Sequence, residues 1–557
     1  MTRHETNSSR GGKRTGATPP AFPLWERCGI RITLPALVLL LAALHLYRPP
    51  LRAAELEVSP DSVEYAIAAR RLATTGKYEV VVNGSALPPR YPPGFSAIFL
   101  APVYFVAPGN IGAGILAVWA AGCSAALLVY LIGNKLSGPW GGLFAAIFFL
   151  HQEEMVKYTQ LIMTDIPAIS LGLGACLLYL RVRARPNWGA YLAGGIVCAI
   201  SIAIRPLTGV LVLPFLIEIL RRRQPGWIRG LAALALPCAA VVVLNGVYQQ
   251  HAFGDWRRTG YQFWLAVPYD YFSLTFSPRY FLFNLQRLGD PQVWGLLLIG
   301  ALGAVALLRR NSPAALPVIA FTILAAGPLS AAHLFYFFRD IRFHFLGLAL
   351  ACIFAGAGIA TLIPEVMRRR FRYALPLACL TILVPRLPQL PPDGPPPIRY
   401  QIATTADRLL PRDAILISGI DTVYLEELFV HENSRRVLPI SRDTPYAAAI
   451  VTPLRIAHLD PPPHNAADHA CPGLVAGGAH RVYAFTADEE IGRVLEWVRA
   501  GVPVYAELAS TLPDQPARKA LAAAFAFEAV SGDCPWLVRL KSKTVAVTDP
   551  APRTAKP

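Results

Sequence analysis

Two carboxylates set three residues apart stand where the first long apolar run of this chain ends. They are Asp61 and Glu64, in "SPDSVEYAIAARRLATTGKY". On a helix they share one face, and a carboxylate pair at a membrane exit can hold a cation or take a proton from a hydroxyl. The same Asp-x-x-Glu spacing is a capping box with Asp61 at the cap, and a residue at a helix N-terminus can serve both ends. A third carboxylate, Asp165 in "KYTQLIMTDIPAIS", opens a later apolar run, with Pro167 in its first turn as a helix start prefers. Carboxylates at that depth, where loop meets apolar segment, are functional candidates by default.

Cations accompany them. Lys77, Arg90, Lys157, Arg205, Arg257, Arg258, Arg339 and Arg342 all fall on the side assigned below to the exterior. Positive-inside bias should have emptied that side of Lys and Arg. Their retention suggests an anionic ligand such as a phosphate or pyrophosphate; for any single one, snorkelling to headgroups is the competing account. In "FRDIRFHF", Arg339 and Arg342 can share a helical face beside His344, with Asp340 free to pair with one of them.

The elements that must position these residues are membrane helices. The 557 residues are 54% hydrophobic and only 16% charged, against about 25% charged in soluble proteins. The net charge of +17 lies in scattered cations between apolar runs, which argues against nucleic-acid binding. After a basic tail (1–31), expected to be cytoplasmic, an uncleaved first span covers roughly 32–47. Further apolar runs lie near 95–107, 113–133, 140–151, 166–182, 188–205, 207–220, 227–246, 292–308, 315–333, 343–363 and 374–386. "RVRARP", "RRRQ", "RRN" and "MRRRFR" mark four cytoplasmic ends. That parity puts the loop 48–93, the start of the Asp165 run, the loop 247–290 and everything after about 387 outside. It needs two crossings between 95 and 151, so one short run there is re-entrant or part of a bent helix.

The expectation is a polytopic α-helical membrane domain (32–386) of about 11 spans. A Pro-rich linker (387–400), a small extracytoplasmic α/β domain (401–545) and a tail (546–557) follow it. "AILISGI", "RVYAF" and "VPVYAEL" read as strands and "TADEEIGRVLEWVRAG" as an amphipathic helix. Nine cysteines are present. Seven lie in or near apolar runs; Cys471 and Cys534 fall in the outer domain and are candidates for one disulfide.

Taken together, Asp61-Ser-Val-Glu64-Tyr65, "GKY" (76–78), "RYPPGF" (90–95), "MTDIP" (163–167), "IRP" (204–206) and "RDIRFHFL" (339–346) resemble the GT-C class of membrane glycosyltransferases. The resemblance is to the family of protein O-mannosyltransferases and bacterial lipid A aminoarabinose transferases, and covers roughly residues 32–365. It implies a polyprenyl-phosphate sugar donor and a hydroxyl-bearing acceptor, with transfer outside the cytoplasm and inversion at the anomeric carbon. Asp61 then aligns with the catalytic base or acceptor-positioning group. Asp165 aligns with the second-loop acid, which contacts acceptor, base or metal. Glu64 matches a position that is acidic in only some members, often directly beside the Asp. Members differ in metal use, so a divalent metal is neither assigned nor excluded. Lys77, Arg90, Arg339 and Arg342 are the candidates for the departing phosphate. The competing class is a transporter or flippase of lipid-linked sugars, which would place its charges near the bilayer midplane. The Ala-, Arg- and Pro-rich composition suggests a bacterial plasma membrane.

Overall fold

A computed structural model describes residues 24–50, 56, 60–223, 225–264, 269, 272–288, 290–363, 398–431, 435–439, 488–510 and 516–543. The expected span at 374–386, most of the Pro-rich linker, "RVYAF", residues 1–23 of the basic tail and the C-terminal tail lie outside these residues, and residues 24–31 of the expected tail belong to the first helix.

The protein is a polytopic helical membrane protein. Among the described residues six helices are long and apolar enough to cross a bilayer: α4 (Ile115–Ser137), α7 (Asp165–Ala184), α10 (Trp227–Phe253), Pro291–Arg309, Ala315–Leu334 and Ile341–Leu362. Shorter apolar helices lie at Leu34–Leu46 (the apolar part of α1, Leu24–Leu46), Ser96–Val106, Pro139–Leu150 (α5) and Trp188–Ile204 (α8). Burial separates centre from rim. Four-fifths of Ile341–Leu362 is buried (83%), against 22% of α10. The first therefore forms the axis against which α5 and Pro291–Arg309 pack, and α10 lies at the lipid edge.

The run at Ser96–Val106 is short for a crossing. It extends for about 16 Å at 1.5 Å per residue, half a hydrocarbon core. Gly114, just beyond it, lies against Ile162, three residues before Asp165. The start of α4 thus lies beside the start of α7. A 3₁₀ stretch, Pro206–Val212, runs directly into α9 (Leu213–Arg222). The steeper 3₁₀ rise takes these 17 residues to about 29 Å, a full core thickness.

The C-terminal part of the chain builds a five-stranded sheet in the order β4-β3-β5-β7-β6, from β3 (Ile415–Ser418), β4 (Arg436–Pro439), β5 (Val504–Glu507), β6 (Phe525–Ser531) and β7 (Cys534–Ser542). The first three run parallel and the last two antiparallel. All four residues of β3 and of β5 are buried, as central parallel strands require. Helix Asp488–Arg499 lays Ile491, Val494, Leu495 and Val498 against the sheet. A two-stranded hairpin, β1 (Val80–Val82) and β2 (Ser85–Leu87), links the membrane helices to this domain.

Candidate functional site

Helix α2 (Pro60–Thr75) carries the first two carboxylates. It begins at Pro60, so Asp61 sits inside the first turn rather than at the cap. Glu64, one turn on, is 3% exposed. Both face Arg90, which holds them together. The Arg90 Nη2 donates to Asp61 Oδ1 at 2.9 Å, its Nε to Glu64 Oε2 at 2.9 Å and its backbone N–H to Glu64 Oε1 at 2.9 Å. Burial alone would lower the Arg90 pKa. Tyr91 and the two carboxylates outweigh it and raise the guanidinium above its ordinary value.

"RYPPGF" is where α2 meets α8. A side chain at Gly94 would begin 2.3 Å from the Ala203 carbonyl oxygen, so only glycine allows the approach. On the other side, a Cβ at Gly260 would fall 2.5 Å from the Arg90 backbone. Trp264 Nε1 donates to the Pro88 carbonyl at 2.9 Å. The prolines keep this stretch extended, and the two glycines let it lie wedged between neighbours.

Close packing against the end of α8 brings in Arg205, whose Nη1 donates to Asp165 Oδ1 at 2.6 Å. Asp165 is the first residue of α7 and its carboxylate is 1% exposed. Its Oδ2 has no hydrogen-bond partner among the described residues. A third arginine, Arg342, donates its backbone N–H to Asp340 Oδ1 at 3.0 Å, and its guanidinium stands 3.4 Å from Asp340 Oδ2. Tyr158 holds Asp340 from behind through bonds of 3.0 and 3.1 Å. Arg205 and Arg342 lie 5.6 and 5.3 Å from the centre of the same ring, Phe343.

These groups line one cavity of about 540 Å³. Asp61, Asp165, Arg90, Arg205 and Arg342 form its polar side; Ile169, Ile204, Leu207, Leu329 and Phe338 are among its apolar walls. A row of tyrosines closes the rest. Tyr65 stacks on Tyr91 at 4.2 Å, Tyr91 meets Tyr261 edge-on at 5.4 Å, Tyr261 contacts Tyr269 at 4.9 Å, and Tyr269 bonds Tyr336 through their hydroxyls at 3.3 Å. Burial pushes the Tyr65, Tyr91 and Tyr261 phenols up, so they stay neutral donors and acceptors at physiological pH.

Several expectations need correction. Lys77 is exposed on the turn after α2 and does not reach the cavity. Arg339 does not share a face with Arg342. Asp340 between them is extended and caps a short 3₁₀ turn at Ile341–His344. Arg339 instead lies over the Phe283 ring at 4.1 Å, beside His344 in a separate small crevice. Glu64 is sealed behind Arg90 and does not line the cavity. Cys534 opens β7, but Cys471 lies outside the described residues, so the disulfide has no geometry to report. Among the described residues no three His, Cys, Asp or Glu side chains converge closely enough to hold a metal ion.

Arg205, Tyr65 and Tyr91 stood inside the quoted motifs but were given no role there, and Tyr261, Tyr269 and Tyr336 carried no motif.

Residues 92–247 match the family model of dolichyl-phosphate-mannose-protein mannosyltransferase. No curated protein sequence matches the chain. Among solved structures, ArnT from Cupriavidus metallidurans in the apo state aligns over 92% of this chain and 98% of its own, with TM-score 0.51 and 13% identity. ArnT from the same organism bound to undecaprenyl phosphate aligns over 93% and 98%, with TM-score 0.48 and 12% identity. The oligosaccharyltransferase AglB from Archaeoglobus fulgidus, in complex with an inhibitory peptide and a dolichol-phosphate, covers 77% of this chain and 67% of its own, with TM-score 0.47 and 11% identity. The likeness to apo ArnT over most of both chains and the match at 92–247 agree: the chain has the fold of the GT-C class of membrane glycosyltransferases.

Proposed function

We propose that this protein transfers a sugar from a polyprenyl-phosphate donor to a hydroxyl acceptor at the extracytoplasmic face of a bacterial plasma membrane. One observation carries the reading: a single cavity gathers two carboxylates and three arginines against an apolar wall. Arg181, Arg183 and Arg185 at the far end of α7 support an external position for Asp165 at its start.

In this reading the acceptor oxygen attacks the anomeric carbon as the bond to the phosphate oxygen breaks from the opposite side, inverting the centre. The acceptor proton passes to a carboxylate. Asp61 suits that role, since it is a quarter exposed (26%) and can release the proton afterwards. Asp165, with its unpartnered Oδ2, suits orientation of the acceptor hydroxyl. The departing polyprenyl phosphate gains charge beside Arg342 and Arg205, which meet across Phe343. Arg90 is committed to Asp61 and Glu64, so its part is to hold the base rather than to bind phosphate. The lipid tail would follow the apolar wall into the bilayer.

The test is sugar release from polyprenyl-phosphate donors by purified protein in detergent. Removing a general base typically costs about 10²–10⁴ in rate, so Asp61→Asn should lose at least about 10² while folding normally. Asp165→Asn should raise the acceptor KM and lower kcat. Folded wild-type protein that neither binds nor consumes any such donor would sink the proposal and leave lipid-linked sugar transport as the reading to test next.

A further inference from the structure

The C-terminal domain grips the site region at two places, both tied mechanically to Arg90. The first is the turn of the β1–β2 hairpin. Asn83 and Gly84 have φ of +51° and +74°, the left-handed conformations of a tight hairpin turn. Their N–H groups donate to Glu426 at 2.7 and 3.3 Å. The Asn83 amide then treats the C-terminal domain as a strand would. It donates to the Val437 carbonyl at 2.9 Å and accepts from the Val437 N–H at 2.8 Å. Val437 lies on β4, an edge strand among the described residues, so one side chain satisfies both backbone groups of an edge position.

The second grip is on α2 itself. Arg70 makes a two-pronged contact with Glu427, at 3.0 and 2.7 Å. Helix Thr422–Leu425 packs on α2 and on β1, and Val423 and Leu425 share one continuous apolar core with Val63 and Ala66.

Each grip leads to one side of the Arg90 clamp. From Gly84 the chain runs through β2 and then Pro88-Pro89 into Arg90, a short stiff path with little room to absorb displacement. From Arg70 the rigid α2 runs about 14 Å back to Asp61. We infer that the C-terminal domain is a positioning element of the site: by holding Asn83 and Arg70 it sets where Arg90 meets Asp61 and Glu64. Asn83, Arg70, Glu426 and Glu427 are positioning residues that touch no substrate. The inference deepens the proposed function and rests on it for its consequence in turnover, but not for its structural content.

Two sets of variants test it. Asn83→Gly keeps the backbone conformation that φ +51° requires and removes only the amide. Arg70→Glu and Glu427→Arg each break the second grip, and the two together restore it with reversed polarity. The first readout is hydrogen exchange in detergent at the Arg90 and Tyr91 amides, which needs no turnover. Exchange should quicken about tenfold in Asn83→Gly and in each single charge reversal, and return to within about threefold of wild type in the double reversal. The second readout is the split of rate constants. kcat should fall about tenfold while the donor KM moves less than about twofold. Wild-type exchange at Arg90 and Tyr91 in both Asn83→Gly and Arg70→Glu overturns the inference, as does a double reversal no better than the singles. If exchange responds as stated but wild-type protein consumes no donor, the positioning stands and the transferase reading is what fails.

Discussion

Replacing Arg90 with Met should reveal how strongly the site depends on one buried cation. The guanidinium is 10% exposed and Glu64 only 3%. Removing one partner of a buried ion pair costs about 3–5 kcal/mol, because the other charge is left without compensation. Here the low end applies. Glu64 keeps the backbone N–H of residue 90, which the substitution leaves in place, and Asp61 is open enough to be hydrated. Arg90→Met should therefore cost about 3 kcal/mol. Glu64→Gln alone should cost about 1.5 kcal/mol, one charge-assisted bond weakened, since Arg90 retains Asp61. Combined, the two should cost about 2 kcal/mol rather than about 4.5, because neutralising Glu64 removes the stranded charge; the coupling is then about 2.5 kcal/mol. Unfolding of the three variants and wild type in mixed micelles, titrated with a denaturing detergent, measures the cycle. Coupling below about 0.5 kcal/mol, the usual limit for independent sites, would refute the claim that Arg90 and Glu64 act as a unit. Arg90→Met should also abolish sugar transfer, whereas a variant as active as wild type would show that Asp61 needs no anchoring.

Two further outcomes follow from the same contacts. Gly94→Ala places a methyl 2.3 Å from the Ala203 carbonyl oxygen and 2.5 Å from its carbon. Backbone cannot swing aside as a side chain would, so the variant should lose about 1–3 kcal/mol of stability and displace Arg90 or Arg205; unchanged thermal stability and turnover would contradict the wedge. Burial raises the Glu426 carboxyl above its ordinary 4.5, and the Asn83 and Gly84 N–H groups only partly offset this. A raised folded-state pKa means the contribution is fully present below the unfolded value and fades as pH rises through the folded one. Glu426→Gln should therefore match wild type near pH 4 and gain on it by pH 7 in thermal midpoint, and a gain confined to low pH would reverse the assigned direction.

Much of the membrane domain was legible because lipid imposes few solutions. A segment in hydrocarbon must satisfy its own backbone, so apolar runs near 20 residues become helices and basic clusters mark one side. That reasoning located Asp61 and Asp165 at loop–helix junctions on one face, and required one of the short runs between 95 and 151 to be re-entrant or part of a bent helix without saying which. It misjudged side chains whose partners are far away in the chain. Arg339 and Arg342 looked like one face only if the segment were helical, and the extended Asp340 breaks that register. Lys77 is close to Asp61 in number but sits beyond the end of α2, pointing to solvent. The Asn-Gly dipeptide at 83–84 was a readable turn signal, yet nothing local says that its side chain would pair with Val437, 354 residues on.

By itself, then, the sequence determined the class of molecule, the helices and the carboxylates at their ends, because hydropathy, capping chemistry and loop charge act over one or two turns. Only the tertiary structure decided which cation serves which carboxylate. Arg90 and Asp61 are 29 residues apart, Arg205 and Asp165 40. The glycines at 94 and 260 and the close packing of α8 select those pairs, and such choices follow from three-dimensional fit rather than from spacing along the chain.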